Sequence, residues 1–340
     1  MKLNKTTLII IIAAIVVVAL ALVLVFCLPK NGGNNNGGET PETPETPEDP
    51  VEKTYYLATA TISKELTSRG GTKIANNFAV IVFDADGKIV AARFDSIESA
   101  HPTLVDGVVT IDEAGLKSKV ESEYKKGQMS DTWGNQIAKF EDHIEGMTAA
   151  EVAELVLTDA EGKNAGLVAG CTMVSTSYSS MLDCQALVAK AAASTKKVEF
   201  KVAEDATIKL GLGVDASAAL NRSGNIEFTA NCAGTVFVGE TVAAAIIDSA
   251  VQTYTVAEGV VTNPTTYTES KLVLGDDYNM VAYGGAIAEW YVQAQYYANL
   301  AVGKTAAGLA DLTTGKIEGK CTMKVDGYKV VLIEAAQNAR

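Results

Sequence analysis

Apolar residues run without a break from Leu8 to Leu28, then give way to alternation from Lys53 onward. The first run is long enough for a helix crossing a hydrocarbon core of ~30 Å at ~1.5 Å per residue. Beyond it the pattern changes period. Thr54 to Ile62 alternates and is rich in β-formers, and a loop at Ser68-Arg69-Gly70-Gly71 follows. Phe78 to Phe83 and Lys88 to Asp95 read as a hairpin around Asp84-Ala85-Asp86-Gly87, where Asp-Gly supplies the positive φ the turn needs. Cys232 to Val238 and Thr241 to Asp248 form the same device with a shorter turn at Gly239-Glu240. Three- and four-residue spacing takes over elsewhere. Asp112 is placed to cap a helix through Lys126, Trp133 to Ile144 and Thr148 to Leu157 predict two more, and Ser180 to Ala193 and Tyr328 to Ala339 close the two halves. Thr176-Ser177 and Asp326-Gly327 are their expected caps. Ile287, Trp290, Tyr291, Ala294, Tyr297, Ala298 and Ala301 share one helical face. The fold class is therefore α+β, with antiparallel sheets carrying packed helices.

The signals occur twice in the same order. Gly170-Cys171-Thr172-Met173 returns as Lys320-Cys321-Thr322-Met323, Gly107-Val108-Val109-Thr110 as Gly259-Val260-Val261-Thr262, and Ser118-Lys119 as Ser270-Lys271. Ile137-Ala138 is matched to Ile287-Ala288 and Tyr178 to Tyr328, with offsets of about 150 residues, the length of a domain. The predicted organisation is an N-terminus at 1–7 on the cytoplasmic side, a transmembrane anchor at 8–28, a linker at 29–52, and two α+β repeats at 53–196 and 197–340.

Lys2 and Lys5 before the apolar run place the rest of the chain outside the cytoplasm, as a membrane-anchored extracellular part. Phe26-Cys27-Leu28-Pro29 lacks the small residues of a cleavage or lipidation site, which favours an uncleaved anchor. The linker opens with an Asn/Gly tract from Asn31 to Gly38 and continues with three Glu-Thr-Pro triplets, expected to behave as a flexible leash followed by a stiffer spacer.

Beyond Asp49 the chain keeps 25 of its 28 basic and 36 of its 41 acidic residues, a net charge near −11. Such a surface repels phosphate backbones, and no basic cluster interleaved with aromatics offsets it, which argues against nucleic acid as a partner. Two histidines, His101 and His143, both read as surface residues, and no Cys-x-x-Cys or His-Glu-x-x-His spacing supplies a metal site. Neither Gly-x-Ser-x-Gly nor any histidine in the second half supports a duplicated hydrolase, so no catalytic residue is assigned. Cys171, Cys184, Cys232 and Cys321 allow three disulfide pairings, but only Cys171 and Cys321 occupy matching positions, which favours buried thiols. Gly211-Leu212-Gly213 reads as a strand end. Asp276-Asp277 could meet a cation or oppose a helix dipole.

The hairpin Phe78 to Asp95, followed by Ala169-Gly170-Cys171-Thr172-Met173-Val174-Ser175 and a closing helix, resembles the FMN-binding domain family of extracytoplasmic electron-transfer proteins. In that family a threonine in a Ser-Gly-Ala-Thr-x-Ser/Thr-Ser motif is esterified to FMN phosphate. The resemblance implies Thr172 as the attachment residue, Thr322 as its weaker counterpart, and Gly170 and Cys171 as small neighbours through which backbone amides approach the phosphate. Ala169, Cys171 and Val174 depart from the motif, and Lys320 replaces its glycine in the second half. Leu274 to Met280 and Trp290-Tyr291 are similar to signatures in long repeats of bacterial envelope proteins. Trp133, Tyr283 and Trp290 are either core or stacking partners of a flavin ring, and Cys-Thr-Met is either an attachment turn or a core strand. Two functions follow: a tethered flavin-based electron carrier with a redox partner, or a non-catalytic envelope protein that binds a partner without a cofactor. Either is a carrier or binder more than an enzyme.

Overall fold

The computed structural model describes residues 51–68 and 71–340, and residues 50–340 cluster as one compact unit. The apolar run 8–28 on which the anchor rests, and nearly all of the linker 29–52, lie outside the described residues. Among the described residues no helix is long and apolar enough to cross a membrane.

The strands are β1 (Glu52–Ser68), β2 (Gly71–Asp84), β3 (Ile89–Ala100), β4 (Thr103–Val105), β5 (Val108–Thr110), β6 (Val198–Ala203), β7 (Ile208–Leu220), β8 (Ile226–Val238), β9 (Thr241–Ala257) and β10 (Val260–Thr262). The helices are α1 (Trp133–Ile144), α2 (Ala149–Ala153), α3 (Met181–Ala193), α4 (Lys271–Leu274), α5 (Met280–Gly284), α6 (Trp290–Asn299) and α7 (Asp326–Gln337). Two four-stranded sheets form, in the orders β3-β2-β1-β6 and β10-β9-β8-β7, with antiparallel neighbours throughout. This is a mixed α+β architecture. The first strand after residue 196 does not join the sheet of the residues that follow it. β6 pairs with β1, Tyr55 opposite Phe200, so the second half of the chain completes the sheet of the first.

Period-two patterning sorts the side chains of β2 into two environments. Phe78, Val80 and Val82 join a core shared with β7, β8 and β9, while Ala79, Ile81 and Phe83 pack with Trp133, Ile137 and Phe140 of α1 and with Leu187 and Val188 of α3. The sheets stack with β3 against β7 and β1 against β9. At Gly234 an added Cβ would lie 2.6 Å from Val80 Cγ1, so the facing sheet already fills the side-chain position. The same seam holds polar groups. Thr59 and Thr61 Oγ1 lie 3.5 and 3.7 Å from Cys232 Sγ, and Thr61 donates to Asp248 Oδ2 at 3.2 Å. Burial pushes the Cys232 thiol up to about 12.

Several expectations require correction. Residues 112–126 are not one helix: Asp112 caps only a 3₁₀ turn, Glu113–Leu116, because the backbone amides of Lys119 and Val120 are taken by the Asp95 carboxylate. Thr148 does cap a helix, in a reciprocal box with Glu151, but that helix ends at Ala153. Ser180, not Thr176 or Ser177, caps α3, and α7 begins at Asp326 with Val325 in the cap position. The Cys171 segment is a loop, and Cys321 makes a single bridge to Ile317. Gly211 and Gly213 lie inside β7, where Cβ atoms would fall 1.7 Å from Ala335 O and 2.1 Å from Val331 O. Those glycines admit α7. Ile287 is 54% exposed while Ile137 is fully buried, so these two residues are not equivalent in place; Trp290 is the residue that matches Trp133. His101 is partly buried, with Nδ1 2.9 Å from Tyr254 OH. All four cysteines among the described residues are free and buried.

Candidate functional site

Each half holds its Cys-Thr loop to a helix by one glutamine. In the first, Gln136 of α1 is buried, and its Oε1 accepts from both Thr172 N and Thr172 Oγ1 at 3.0 Å. In the second, Gln293 of α6 accepts from Thr322 N at 2.7 Å and Thr322 Oγ1 at 3.2 Å. The two glutamines stand three residues after Trp133 and Trp290, so tryptophan and amide lie on adjacent parts of the same helical face.

A second recurring arrangement lies below. Asp95 on β3 accepts from the amides of Ser96, Lys119 and Val120 and from the Ser118 hydroxyl, and burial nevertheless raises its pKa to about 6. Asp248 on β9 accepts from the amides of Ser249 and Leu272, and burial raises its pKa also. These carboxylates fix the loops that bring in Lys119 and Lys271. Lys119 Nζ sits 4.7 Å from the Tyr124 ring centroid and 5.4 Å from that of Trp133; Lys271 Nζ sits 5.2 Å from Tyr278 and 5.5 Å from Trp290.

The halves differ in what surrounds the boxed lysine. Lys119 is ion-paired to Glu98, whose Oε1 also accepts from Ser179 N at 2.8 Å. Burial opposes ionisation of Glu98, but the Lys119 charge and these bonds outweigh it and hold the carboxyl below its ordinary range. On β9 the place of Glu98 is taken by Val251, as the strand registers show, and burial lowers the Lys271 pKa to about 8.

The open space differs too. Trp133 Nε1 donates to Ser179 O at 3.1 Å, leaving Tyr178 at the rim, 38% exposed. A hollow of about 430 Å³ lies there, bounded by Lys119, Tyr124, Lys125, Trp133, Thr172 and Tyr178. A second hollow of about 630 Å³ adjoins it across Tyr124, Lys125 and Tyr178 and brings in Lys73 and Glu98. In the second half Trp290 Nε1 donates instead to Tyr328 OH at 3.1 Å, with the rings edge to face at 5.9 Å, and Tyr328 is 8% exposed. Tyr178 and Tyr328 therefore match in sequence but not in place.

Of Thr172, Gly170, Cys171 and Thr322, Thr172 alone borders the first-half hollow, with its side chain exposed. Cys171 is 1% exposed and turned into the core around α1 and α3, and its amide bonds Val168 O at 3.1 Å. Gly170 has φ +75° and carries Lys139 against its face, where a Cβ would lie 2.9 Å from Nζ. The amides of 171 and 172 are thus both bonded within the protein. Thr322 is partly buried on its clamp. Trp133 and Trp290 are 3% and 2% exposed, and Tyr283 is 89% exposed, far from any stacked pair. Lys119, Tyr124 and Tyr178 were missed by motif reading; the repeated Ser-Lys pair was the signal for the first. An aromatic-rimmed hollow with Lys125 at its edge suits a planar ring with an anionic group, the anion met by that one ammonium, since Lys119 is already paired to Glu98.

Among the described residues no group of three or more His, Cys, Asp or Glu side chains could hold a metal ion. The chain matches no protein-family model, no curated protein and no solved structure.

Proposed function

We propose that 53–196 and 197–340 are two copies of one α+β unit, held outside the cytoplasm by a transmembrane segment at 8–28, and that the first copy carries the ligand seat. The ligand is a planar aromatic anion, with FMN the candidate, and the protein is a carrier more than a catalyst. One observation carries this reading. Thr172, the residue implied for flavin attachment, borders a hollow walled by Tyr124, Trp133 and Tyr178 and supplied with Lys119 and Lys125. Bound flavin would supply reversible electron uptake. The chain's residues would do the rest: Tyr124 and Tyr178 flank the ring over the buried Trp133, Lys125 meets the anion, and Gln136 holds the loop. The second copy, with Tyr328 against Trp290, would keep the scaffold without the seat.

The test is titration of the purified full chain with FMN, read by quenching of flavin fluorescence. Saturable quenching that Y178A weakens while circular dichroism stays unchanged is expected; no quenching up to millimolar FMN refutes the flavin seat. Co-expression with a flavin transferase addresses the ester separately. A mass gain on the peptide holding Thr172, lost in T172V, establishes it, and an unmodified peptide removes it.

A second reading, an envelope binding protein without cofactor, draws on the paired clamps. Both threonine hydroxyls donate to a helix glutamine, a structural use that needs no ligand. Its mark is a chain that stays silent in both flavin arms.

A further inference from the structure

Helix α5 and the loop after it, Met280 to Ala288, are nine consecutive uncharged residues, with Met280 packed against the core and most of the others at the surface. Val281, Tyr283 and Ile287 are 43%, 89% and 54% exposed, with Ala282, Gly284 and Gly285 exposed between them. The corresponding stretch before α1 in the first half contains Lys125, Lys126, Gln128, Ser130 and Asp131, an ordinary solvated loop. Val281, Tyr283 and Ile287 are grouped in one short segment and not scattered singly, the grouping expected of a contact surface.

Five amides of this hook are bonded within the protein. The Glu289 carboxylate accepts from Met280 N at 2.7 Å and Val281 N at 3.1 Å. Tyr283 N bonds Asn279 O, and Gly285 N and Ala286 N close back onto Val281 O and Met280 O, with Gly285 at φ +59°. This matters because a segment entering an apolar phase cannot leave amides unpaired. A water-facing loop has no such need. The hook's composition, valine and isoleucine with one tyrosine and no charge, matches the boundary of a bilayer, where a phenol keeps its ring in the apolar zone and its hydroxyl in water.

The chain's own sequence supplies the surface. This inference rests on the transmembrane reading of 8–28 proposed above: residues 29–51 have a contour of roughly 80 Å at about 3.5 Å per residue, which would confine the folded unit within reach of that membrane. We propose that the Met280–Ala288 hook inserts into the outer face of that same bilayer, a second and reversible membrane contact that lays the folded unit on the lipid surface. Asp276 and Asp277 precede the hook and make it suited to a zwitterionic surface, not an anionic one. The proposal is independent of any ligand at Thr172.

The experiment uses the full chain reconstituted in phosphatidylcholine vesicles, as wild type and Y283W. The native tryptophans are 3% and 2% exposed, so the difference between the two emission spectra reports position 283. Bromine-labelled phosphatidylcholine is expected to quench the added Y283W emission at least twofold, and I287S together with V281S is expected to abolish that quenching while circular dichroism stays unchanged. Emission at 283 quenched freely by aqueous acrylamide and untouched by brominated lipid overturns the proposal. Protection from both quenchers that appears only at high protein density overturns it equally, because the hook then meets a second copy of the chain.

Discussion

Replacing Glu98 by glutamine tests whether the floor of the hollow is built as the bonds imply. The side chains of Lys119 and Glu98 are 3% and 6% exposed, so the pair is buried. Removing one partner of such a pair leaves an uncompensated buried charge and costs about 3–5 kcal/mol. Glutamine keeps an oxygen for Ser179 N, which puts E98Q near the lower end, about 3 kcal/mol. At roughly 2 °C per kcal/mol for a unit of this size, the melting temperature should fall by about 6 °C. Removing both charges together, in E98Q/K119M, should restore stability to within about 1 kcal/mol of wild type, since a buried pair and its apolar replacement are often equivalent. Urea unfolding of the full chain in detergent, followed by circular dichroism, measures all three. The pH dependence has a defined sign. The folded carboxyl sits below its ordinary range, so the stabilisation is complete above the unfolded value of about 4.3 and is lost only as the pH falls through the lower folded value. An E98Q variant within 0.5 kcal/mol of wild type near neutrality, or a double variant equal to the sum of the singles, refutes the reasoning; both thresholds are of the order of ordinary non-interacting changes.

Lys271 should behave oppositely, because Val251 leaves it without a directly paired carboxylate and burial outweighs the more distant charges of Glu227 and Asp248: K271M is expected to be neutral or stabilising at pH 7, and wild type should gain on it by roughly 3 kcal/mol between pH 8 and about 10.4, as the folded-state amine deprotonates first. Asp95 has a folded pKa raised to about 6, so wild type should gain stability relative to D95N as the pH falls from about 6 to about 4, by roughly 2–3 kcal/mol, measured by urea titration in that window. Gly213→Ala places a methyl 2.1 Å from Val331 O and should cost at least 1–3 kcal/mol, read as a lower urea midpoint. The four cysteines beyond the linker should resist a thiol reagent in native buffer and react on unfolding, because each is buried and burial raises every one of their pKa values.

What could be read from the chain beforehand was whatever depends on near neighbours. The hairpin of Phe78 to Asp95 needs only alternation on both sides of an Asp-Gly turn, and Gly87 takes the expected positive φ of +78°. Helix α1 spans Trp133–Ile144, the predicted limits, because its apolar spacing and the Thr132 cap agree. The residues between Asp112 and Lys126 failed for a reason outside that stretch. Their own amides prefer the buried carboxylate of Asp95 on a strand far back in the sequence, and a helix through Lys119 would leave that charge bare. β6 failed similarly, since nothing local says that Val198–Ala203 should cross to β1.

The candidate site divides along the same line. Thr172 was found by motif, but its setting depends on Gln136, Trp133 and Lys119, brought from another helix and another loop by long-range packing. Repetition in the sequence also overstated equivalence. Cys-Thr recurs as letters and keeps its bond to a helix glutamine, and Ser-Lys recurs without its ion pair, whereas Tyr178 and Tyr328 recur as letters and part company, because helix α7 begins two residues before Tyr328 and α3 begins three residues after Tyr178. That shift turns one phenol onto Trp290 and leaves the other at the rim of the hollow. A difference of five residues in where a helix starts thus separates a covered tryptophan from one beside an open hollow, while Gln136 and Gln293 hold the two Cys-Thr loops in the same way.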